Sequence, residues 1–289
     1  MKKLKNKILG YQPFISIVIV VFNAEKYIRE AIESIINQDF KNMEILIIDG
    51  GSSDNTISII SEYKEHLSYF ISEKDEGQSH AFEKAFSKCK GEWLTWLNSD
   101  DILMHGTLNL LETQTKLHPK VNCFFGNIIW VDDKKKVILC RKGEKWSPYL
   151  AKNGFLNPYG PSTFFKKSLY QKVKGVDRNL HYRMDTDLWW QFFFSGAIFK
   201  RLNKYTWMLR VHKDAKTTAN YFLDNDEQKT VKDKMIHETN LIRKRYKVSP
   251  SLKGKFILLI FRLFSIRYLY SLLDSIRYKG KKYPNIKKL

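Results

Sequence analysis

The stretch Trp93-Leu-Thr-Trp-Leu-Asn-Ser-Asp-Asp101 decides how the rest of the chain is interpreted. Its first part is an uncharged, mostly apolar run of strand length, which is typical of a strand buried on both faces of a parallel sheet. The run ends in two adjacent carboxylates, with Asn98 and Ser99 beside them. Residues just past the carboxyl end of such a strand lie where open α/β sheets bind ligands. The alternative is a solvated turn and a helix N-cap, because Asp is favoured in both.

Predicted strands and helices alternate on both sides of this stretch. Strands are predicted at Ile15–Phe22, Glu44–Asp49, Tyr69–Ser72 and Trp93–Leu97, and helices at Ala24–Ile35, Thr56–His66, Gly77–Lys88 and Met104–His118. This alternation predicts parallel βαβ units with right-handed crossovers. The fold class is therefore α/β, a three-layer α/β/α sandwich.

The alternation stops after the next predicted strand, Cys123–Val131. A turn at 132–136 and a strand at Val137–Arg141 follow, and then a loop rich in Gly, Pro and Asn. Met184-Asp-Thr-Asp187 opens an aromatic helix, and Arg210-Val-His212 ends a further strand. A mixed α+β half of this kind is typical of proteins in which it forms the acceptor pocket beside a nucleotide-binding half.

The charge of the chain is concentrated near its C-terminus. The net charge is +20, and residues 243–289 hold 14 Lys and Arg against one acid, Asp274, which leaves 20 − 13 = +7 for the remainder. Because no nucleic-acid motif accompanies this charge, no nucleic-acid partner is expected. The three cysteines follow no motif spacing, which indicates reduced core thiols in a cytosolic protein.

Neither end of the sequence predicts a segment that crosses a membrane. The apolar run after the basic N-terminus is short and lacks a cleavage pattern, so it indicates a first strand rather than a signal peptide. Near the other end, Asp226–Tyr246 predicts a charged helix, and Gly254–Leu273 an apolar helix interrupted by Arg262 and Arg267. A basic apolar helix of this kind suits an anionic membrane surface. The alternative is a helix packed on the catalytic domain or on a second copy.

Polar motifs follow four successive predicted strands. They are Phe22-Asn-Ala-Glu25, Asp49-Gly-Gly-Ser-Ser-Asp54, Lys74-Asp-Glu-Gly77 and Asn98-Ser-Asp-Asp101. The carboxyl ends of parallel strands meet at one edge of a sheet, so these motifs converge on a single crevice. Two acids there, with Asn98 and Ser99, can hold a divalent cation through hard oxygen ligands.

These motifs, together with Ser16–Ile28, Gln38–Thr56, Asp75–Phe82, Met184–Trp190 and Arg210-Val-His212, resemble family 2 glycosyltransferases of the GT-A fold, which is Rossmann-like with a mixed central sheet. The resemblance covers about residues 14–219. It implies a basic flank at 1–12, a catalytic domain at 13–220 and a helical C-terminal extension at 221–289. Within the domain, 13–118 would form the nucleotide-sugar half and 119–220 the acceptor half.

The resemblance also implies a role for each matching residue. Phe22, Glu25, Asp49, Asp75, Gly77, Asn98, Ser99 and Asp100 would bind the nucleotide-sugar, with Asp49 accepting from a ring nitrogen of a uracil-type base. Asp100 and His212 would hold Mn²⁺ or Mg²⁺, and Asp185 would be the catalytic base. The family's common pattern has acids at the positions of Asn98 and Gly50 and Glu at that of Met184. The main metal ligand and the base are retained.

The implied activity is the inverting, metal-dependent transfer of one sugar from a nucleotide-sugar, with UDP favoured. The acceptor would be a glycan or a polyprenyl-phosphate-linked glycan in bacterial surface polysaccharide synthesis. Processive members carry a Gln-x-x-Arg-Trp signature, which this chain lacks, so transfer would be non-processive. The enzyme would be cytoplasmic and peripheral to the inner face of the cell membrane. The alternative is a catalytically silent nucleotide-sugar-binding scaffold at the membrane.

Overall fold

The computed structural model describes residues 12–143, 146–156, 158, 160–216, 225–263 and 266–282. The elements in chain order are β1 (Ile15–Val21), α1 (Ile28–Ile36), β2 (Met43–Asp49), α2 (Thr56–Glu62), β3 (Tyr69–Ser72), α3 (Gln78–Lys88), β4 (Trp93–Asn98), β5 (Ile102–Leu103), α4 (Thr107–Leu117), β6 (Cys123–Val131), β7 (Val137–Arg141), α5 (Pro148–Lys152), β8 (Thr163–Lys166), α6 (Lys167–Gln171), α7 (Met184–Phe194), β9 (Phe199–Arg210), α8 (Asn225–Tyr246), α9 (Leu252–Leu263) and α10 (Ile266–Tyr278). Short 3-10 turns occur at Lys64–His66 and Gly160–Ser162.

One mixed sheet runs through the described part of the chain. Its order is β3-β2-β1-β4-β8-β6-β9-β5, and β7 pairs with β6 beside this path. Strands β1 to β4 are parallel, as the alternation predicts. Strand β8 enters antiparallel to β4, and from there the sheet is mixed. The expectation of an α/β fold with a mixed central sheet is confirmed.

Helices cover both faces of this sheet because each central strand is apolar on both sides. Alternate residues of β1 face opposite ways, with Val18 and Val20 in one core and Ile17 and Ile19 in the other. The first core packs under α3 and α7, and the second under α1, α2 and α4. The result is the predicted three-layer sandwich.

The register of the parallel strands aligns the predicted polar motifs. Val21 at the end of β1 pairs with Asp49 of β2, and Val20 pairs with Asn98 of β4. Asp49 in turn pairs with Ser72 at the end of β3. The ends of four neighbouring strands therefore form one rim, which is where the sequence predicts the crevice.

The structure corrects one prediction between β4 and α4. The predicted helix from Met104 to His118 starts at Thr107 instead, after Gly106 in a left-handed conformation with φ of 77°. The preceding Ile102–Leu103 forms the short strand β5, which pairs antiparallel with β9. Two residues carry no periodicity, so this strand leaves no signal in the sequence.

All three cysteines lie in the core, as predicted. Cys89, Cys123 and Cys140 are buried and free. Burial raises the pKa of the Cys89 thiol to about 12 and that of Cys140 to about 11. Burial also raises the pKa of Cys123 well above its ordinary value.

The C-terminal helices contact the sandwich. Ile242 and Val248 belong to the core that also contains Trp189 and Trp190 of α7. Helix α10 packs on β7, where the Ser275 hydroxyl accepts a hydrogen bond from the backbone N–H of Cys140. Among the helices described, none is long and apolar enough to cross a membrane.

Phe165 tests how much of the stability comes from the shared core. Its ring is fully buried and packs against Phe192 and Trp189. We expect Phe165→Ala to lower the free energy of unfolding by about 3–5 kcal/mol because it leaves a cavity. Leu117→Ala, at a 63% exposed position, serves as the control and should change it by less than about 1 kcal/mol. Urea denaturation measures both, and equal losses would contradict this account of the core.

Candidate active site

The loops after β1 and β2 are bound to each other at the rim. Asn23 accepts a hydrogen bond from the backbone N–H of Ser53 at 2.8 Å, and its own N–H donates to the Ser52 hydroxyl at 2.8 Å. The Glu25 carboxylate accepts from the backbone and side chain of Asn55 at 3.0 and 2.9 Å. These bonds fix the position of Glu25, and Phe22, directly after β1, has 63% of its surface exposed.

Asp49 lies fully buried at the end of β2. Its carboxylate accepts hydrogen bonds from the backbone N–H groups of Gly51 and Ser52 and from the hydroxyls of Ser52 and Ser72, at 2.5–3.1 Å. In this arrangement Asp49 holds the turn together, as Asp does in Asx turns. Its contact with a nucleotide base stays a prediction.

Asp75 and Gly77 border the same turn from the β3 side. The Asp75 carboxylate accepts from the N–H of Gly77 at 2.8 Å, and Gly77 has φ of 112°, a backbone conformation that favours glycine. A Cβ added at Gly50 would lie 2.7 Å from an Asp75 carboxylate oxygen. A side chain at position 50 would therefore require the Asp75 carboxylate to move.

The two carboxylates that end the decisive stretch point in opposite directions. Asp101 is buried and accepts from the Asn98 amide, the Trp207 indole N–H and the backbone N–H of Arg210, at 2.8–3.0 Å. Burial, reinforced by the neighbouring charge of Asp100, raises the pKa of Asp101 to about 8. Asp100 faces the rim, so it is the carboxylate of the two that a ligand can reach.

Arg210 holds Asp100 in this position, and sequence reasoning missed it. Its guanidinium is 2% exposed and donates to the backbone carbonyls of Asp100 and Asp133. It also forms an ion pair with Glu30 of α1 at 2.5 Å and lies 4.7 Å from the ring centroid of Tyr27. The sequence did contain a signal for Arg210, because this residue opens the Arg210-Val-His212 motif.

Asp100 and His212 form the pair that the resemblance assigns to a metal ion. The Asp100 carboxylate lies 2.9 Å from Nε2 of His212, and the ring of Tyr27 packs on the histidine with its centroid 4.6 Å away. His212 is 8% exposed, and its Nδ1 is buried without a hydrogen-bond partner among the described residues. A histidine with a purely structural role normally has its buried ring nitrogen satisfied.

A divalent cation fits this donor set. Carboxylate oxygen suits Mg²⁺ and Mn²⁺, and imidazole is acceptable to Mn²⁺. Over the described ranges, no group of three or more His, Cys, Asp or Glu side chains could hold a metal alone. Magnesium sites commonly combine one or two protein ligands with substrate phosphates and water. Asp100 and His212 match the protein share of such a site.

Asp185 lies in the first turn of α7 beside an apolar cavity lined by Phe82, Trp96 and Met184. One carboxylate oxygen accepts from the backbone N–H of Thr186 at 2.6 Å. Burial raises the pKa of Asp185, against the opposing effects of this bond and of nearby charge. A Cβ added at Gly160 would collide with the other oxygen, so the backbone there leaves just enough room for the carboxylate.

The structure connects these groups around one end of the sheet. Trp96, which shares the cavity with Asp185, lies two residues before Asn98 on β4. Lys216, four residues past His212, donates to the side chain of Gln78 at 2.9 Å. Gln78 directly follows Gly77 of the nucleotide half. Lys216 also interacts electrostatically with Asp185, so the segment after His212 links the loop around Gly77 with the start of α7. Ser99 lies at the same rim, between Asn98 and Asp100.

This chain is similar to known proteins in both sequence and fold. The sequence profile described as Glycosyl transferase family 2 matches residues 16–172. An uncharacterized glycosyltransferase of Rickettsia prowazekii is 29% identical over 196 residues, which cover 65% of this chain and 61% of that protein. A Campylobacter jejuni GalNAc(5)-diNAcBac-PP-undecaprenol beta-1,3-glucosyltransferase is 29% identical over 170 residues, covering 56% and 54% of the two chains. The chain thus spans less than two thirds of these relatives' length.

Solved structures share the fold at low sequence identity. Staphylococcus aureus TarS 1-349 in complex with UDP-GlcNAc has a TM-score of 0.57 at 17% identity, over 70% of this chain and 59% of that one. A Pyrobaculum calidifontis mannosyltransferase in complex with GDP-Man and Mn²⁺ has a TM-score of 0.55 at 14% identity, over 92% and 85%. These neighbours identify the fold as GT-A. Since the family profile matches more than half of its residues, the chain belongs to glycosyl transferase family 2.

Proposed function

We propose that this protein transfers a single sugar from a nucleotide-sugar donor to a glycan or lipid-linked acceptor, with inversion at the anomeric carbon. The observation that carries the proposal is the combination of three features. They are the linked loops around Asp49 and Asp75, the Asp100–His212 pair, and a carboxylate with a raised pKa at Asp185. In this proposal the loops bind the donor, the pair stabilises the leaving group and Asp185 is the base.

The donor's nucleoside would lie against the linked loops after β1, β2 and β3. Phe22 offers an exposed aromatic surface there, and Glu25 and Asp75 supply acceptors. Asp49 is buried and bonded within its turn, so its contact with a base would require part of that turn to open. A uracil base is favoured by the resemblance, and the solved complex of TarS with UDP-GlcNAc supports it. The mannosyltransferase neighbour is a GDP-Man complex, so the shared fold accommodates more than one base.

Asp100 and His212 would hold Mn²⁺ or Mg²⁺, which would offset the negative charge that develops on the diphosphate leaving group. Asn98 stands where family members commonly have a further acid, and its amide is turned inwards to Asp101. The pair therefore brings one negative charge to the cation, and donor phosphate oxygens would complete its coordination. The Mn²⁺ in the mannosyltransferase neighbour supports the choice of ion.

Asp185 would take the proton from the attacking acceptor hydroxyl. Its carboxylate lies beside apolar rings, and burial makes it a stronger base than an exposed Asp. Attack from the face opposite the diphosphate is a single displacement, so it inverts the anomeric centre and an α-linked donor gives a β-glycoside. The acceptor hydroxyl is itself the nucleophile, so no side chain of the protein has to form a bond to the sugar.

Helix α10 supports the further proposal that the protein works at an anionic membrane surface. Its polar face is turned towards the protein, where Asp274 pairs with Lys142 at 2.6 Å and accepts from the hydroxyl of Tyr205. Its outward face is apolar, and Ile276 is 68% exposed. Asp274 is the sole acidic residue in 243–289, and its ion pair with Lys142 offsets the one acidic side chain in this segment that would oppose anionic lipid.

A membrane position agrees with a lipid-linked acceptor in surface polysaccharide synthesis. The Campylobacter relative is named for an undecaprenol diphosphate acceptor, which lies at such a surface. The described residues contain no spanning helix, so contact would be made by the outward apolar face together with the surrounding cations.

Asp185→Asn tests the assignment of the base. The amide is nearly isosteric but cannot take a proton, so we expect kcat to fall by about 10²–10⁴-fold. Binding of UDP with Mn²⁺, measured as thermal stabilisation, should be unchanged. A panel of UDP-sugars and acceptors provides the transfer assay. An Asp185→Asn enzyme with the kcat of the unmodified protein would refute the assignment. If the unmodified protein binds donors but transfers no sugar, the catalytically silent scaffold is favoured.

Removal of divalent cations tests the role of the Asp100–His212 pair. We expect EDTA to abolish transfer and Mn²⁺ to restore it, because the leaving diphosphate otherwise develops uncompensated charge. Asp100→Asn should raise the Mn²⁺ concentration needed for half-maximal activity by at least about tenfold. The control is Asp132→Asn, which removes a carboxylate from the β6–β7 turn. Full activity after EDTA treatment would contradict metal dependence.

The outward face of α10 is tested with lipid vesicles. Leu269, Leu272 and Ile276 lie on one exposed face, and we expect replacing all three with Ser to abolish sedimentation with vesicles that contain phosphatidylglycerol. The control is Leu117→Ser, at another exposed leucine. Vesicles of neutral lipid should bind the wild type weakly, since the cations then have no partner. Unchanged sedimentation of the triple variant would refute this surface.

A further inference from the structure

Helix α8 contacts the chain on both sides of Asp185. It lies in the segment that the sequence assigns to a C-terminal extension beyond the catalytic domain. Two of its side chains, Glu238 and Arg245, reach the segment that carries the base. Their contacts bracket Asp185 along the chain, with one before the start of α7 and one in its first turn.

Glu238 holds the backbone that leads into α7. Its carboxylate is buried and accepts from the N–H groups of His181, Tyr182 and Arg183, each at 2.8 Å. Helix α7 has no side-chain cap of its own at Arg183. A carboxylate near a helix N-terminus also interacts favourably with the helix dipole. Glu238 therefore supplies, from a distant part of the chain, the anchoring that a local cap would otherwise give.

Arg245 holds the other side of Asp185. Its guanidinium bridges the carboxylates of Asp187 and Asp177, both at 2.7 Å. Asp187 is fully buried and also accepts from Tyr246 and Gln191, so both of its oxygens have partners within the protein. The ring of Tyr246 stacks on Phe194 at the far end of α7, with centroids 5.4 Å apart. Helix α7 is thus held at its start, in its first turn and at its end.

We infer that helix α8 belongs to the catalytic apparatus, and that Glu238 and Arg245 are positioning residues that keep the Asp185 carboxylate in place for proton abstraction. This inference rests on the proposed function, because it takes Asp185 to be the base. Its physical reason is that base catalysis depends steeply on distance, so that a displacement of about 1 Å can cost about 10²-fold in rate. Asp185 has few bonds of its own: its described hydrogen bonds come from its neighbour Thr186.

Glu238→Gln is the first test. The amide keeps the shape of the side chain but cannot accept from three backbone N–H groups without turning its own NH₂ towards one of them. We expect kcat to fall about ten- to hundredfold, with the Kd of UDP and Mn²⁺ and the KM for donor within about twofold of the wild type. Asp233→Asn is the matched control, because it removes the same charge from an exposed position on the same helix. It should leave kcat unchanged.

A double variant distinguishes the positioning of Asp185 from a general loss of structure. If Glu238 acts only through Asp185, adding Glu238→Gln to Asp185→Asn should not lower the residual rate further. A Glu238 whose role is purely structural would lower the rate of both backgrounds by the same factor. That second result would overturn the inference, as would a Glu238→Gln enzyme with the kcat of the wild type and a lower melting temperature.

Arg245→Lys covers the case in which Glu238→Gln does not fold. Lysine keeps the positive charge for buried Asp187 but cannot bridge two carboxylates in a fixed geometry. We expect kcat to fall at least threefold with the Kd of UDP and Mn²⁺ unchanged, and a wild-type kcat would overturn the inference. The proposed function fails separately, through an active Asp185→Asn enzyme. An inactive Asp185→Asn with fully active Glu238 and Arg245 variants would refute the positioning role alone.

Discussion

The buried carboxylate of Asp101 is the constraint on which the rest of the site depends. A carboxylate removed from water costs several kcal/mol unless its oxygens are satisfied. Asp101 is satisfied by groups from two strands, with Asn98 on β4 and both Trp207 and Arg210 on β9. The two strands are not neighbours in the sheet, since β8 and β6 lie between them. Asp101 therefore helps to join their ends across the rim, and Asp100 is left outside and in reach of His212.

The sequence predicts the nucleotide half well because the physics there is local. Short apolar runs bounded by turn residues favour buried strands, and Gly and Asp at their ends mark turns at a common edge. It does not predict which acid of the Asp100–Asp101 pair turns inwards, since that depends on donors more than a hundred residues away. The same limit applies to the partly buried ion pair of Arg210 with Glu30, which no periodicity or motif spacing encodes. The assignment of Asp185 as the base comes from the resemblance, and the contacts around Asp185 come from the structure alone.

The C-terminal helices show a further limit. Charge and apolar content predict that the chain after residue 243 prefers an interface, yet they do not say which face of a helix is turned inwards. In α10 the face with Ser271, Asp274 and Ser275 packs against the protein, and the leucines are exposed. This is the reverse of ordinary amphipathic packing, in which the apolar face is buried. Helix α8, which looked like a charged appendage, inserts Ile242 into the main core and reaches the segment around Asp185.

The burial of the three thiols has a practical consequence for spectroscopy. Thiolates, not thiols, react with maleimides, and the pKa of Cys89 is raised to about 12 and that of Cys140 to about 11, so neither ionises appreciably at neutral pH. Cys123 is likewise buried. The native cysteines should therefore react little with maleimide labels. A single cysteine introduced on the surface of the protein would carry a fluorophore or nitroxide alone, without the need to remove the natural ones first.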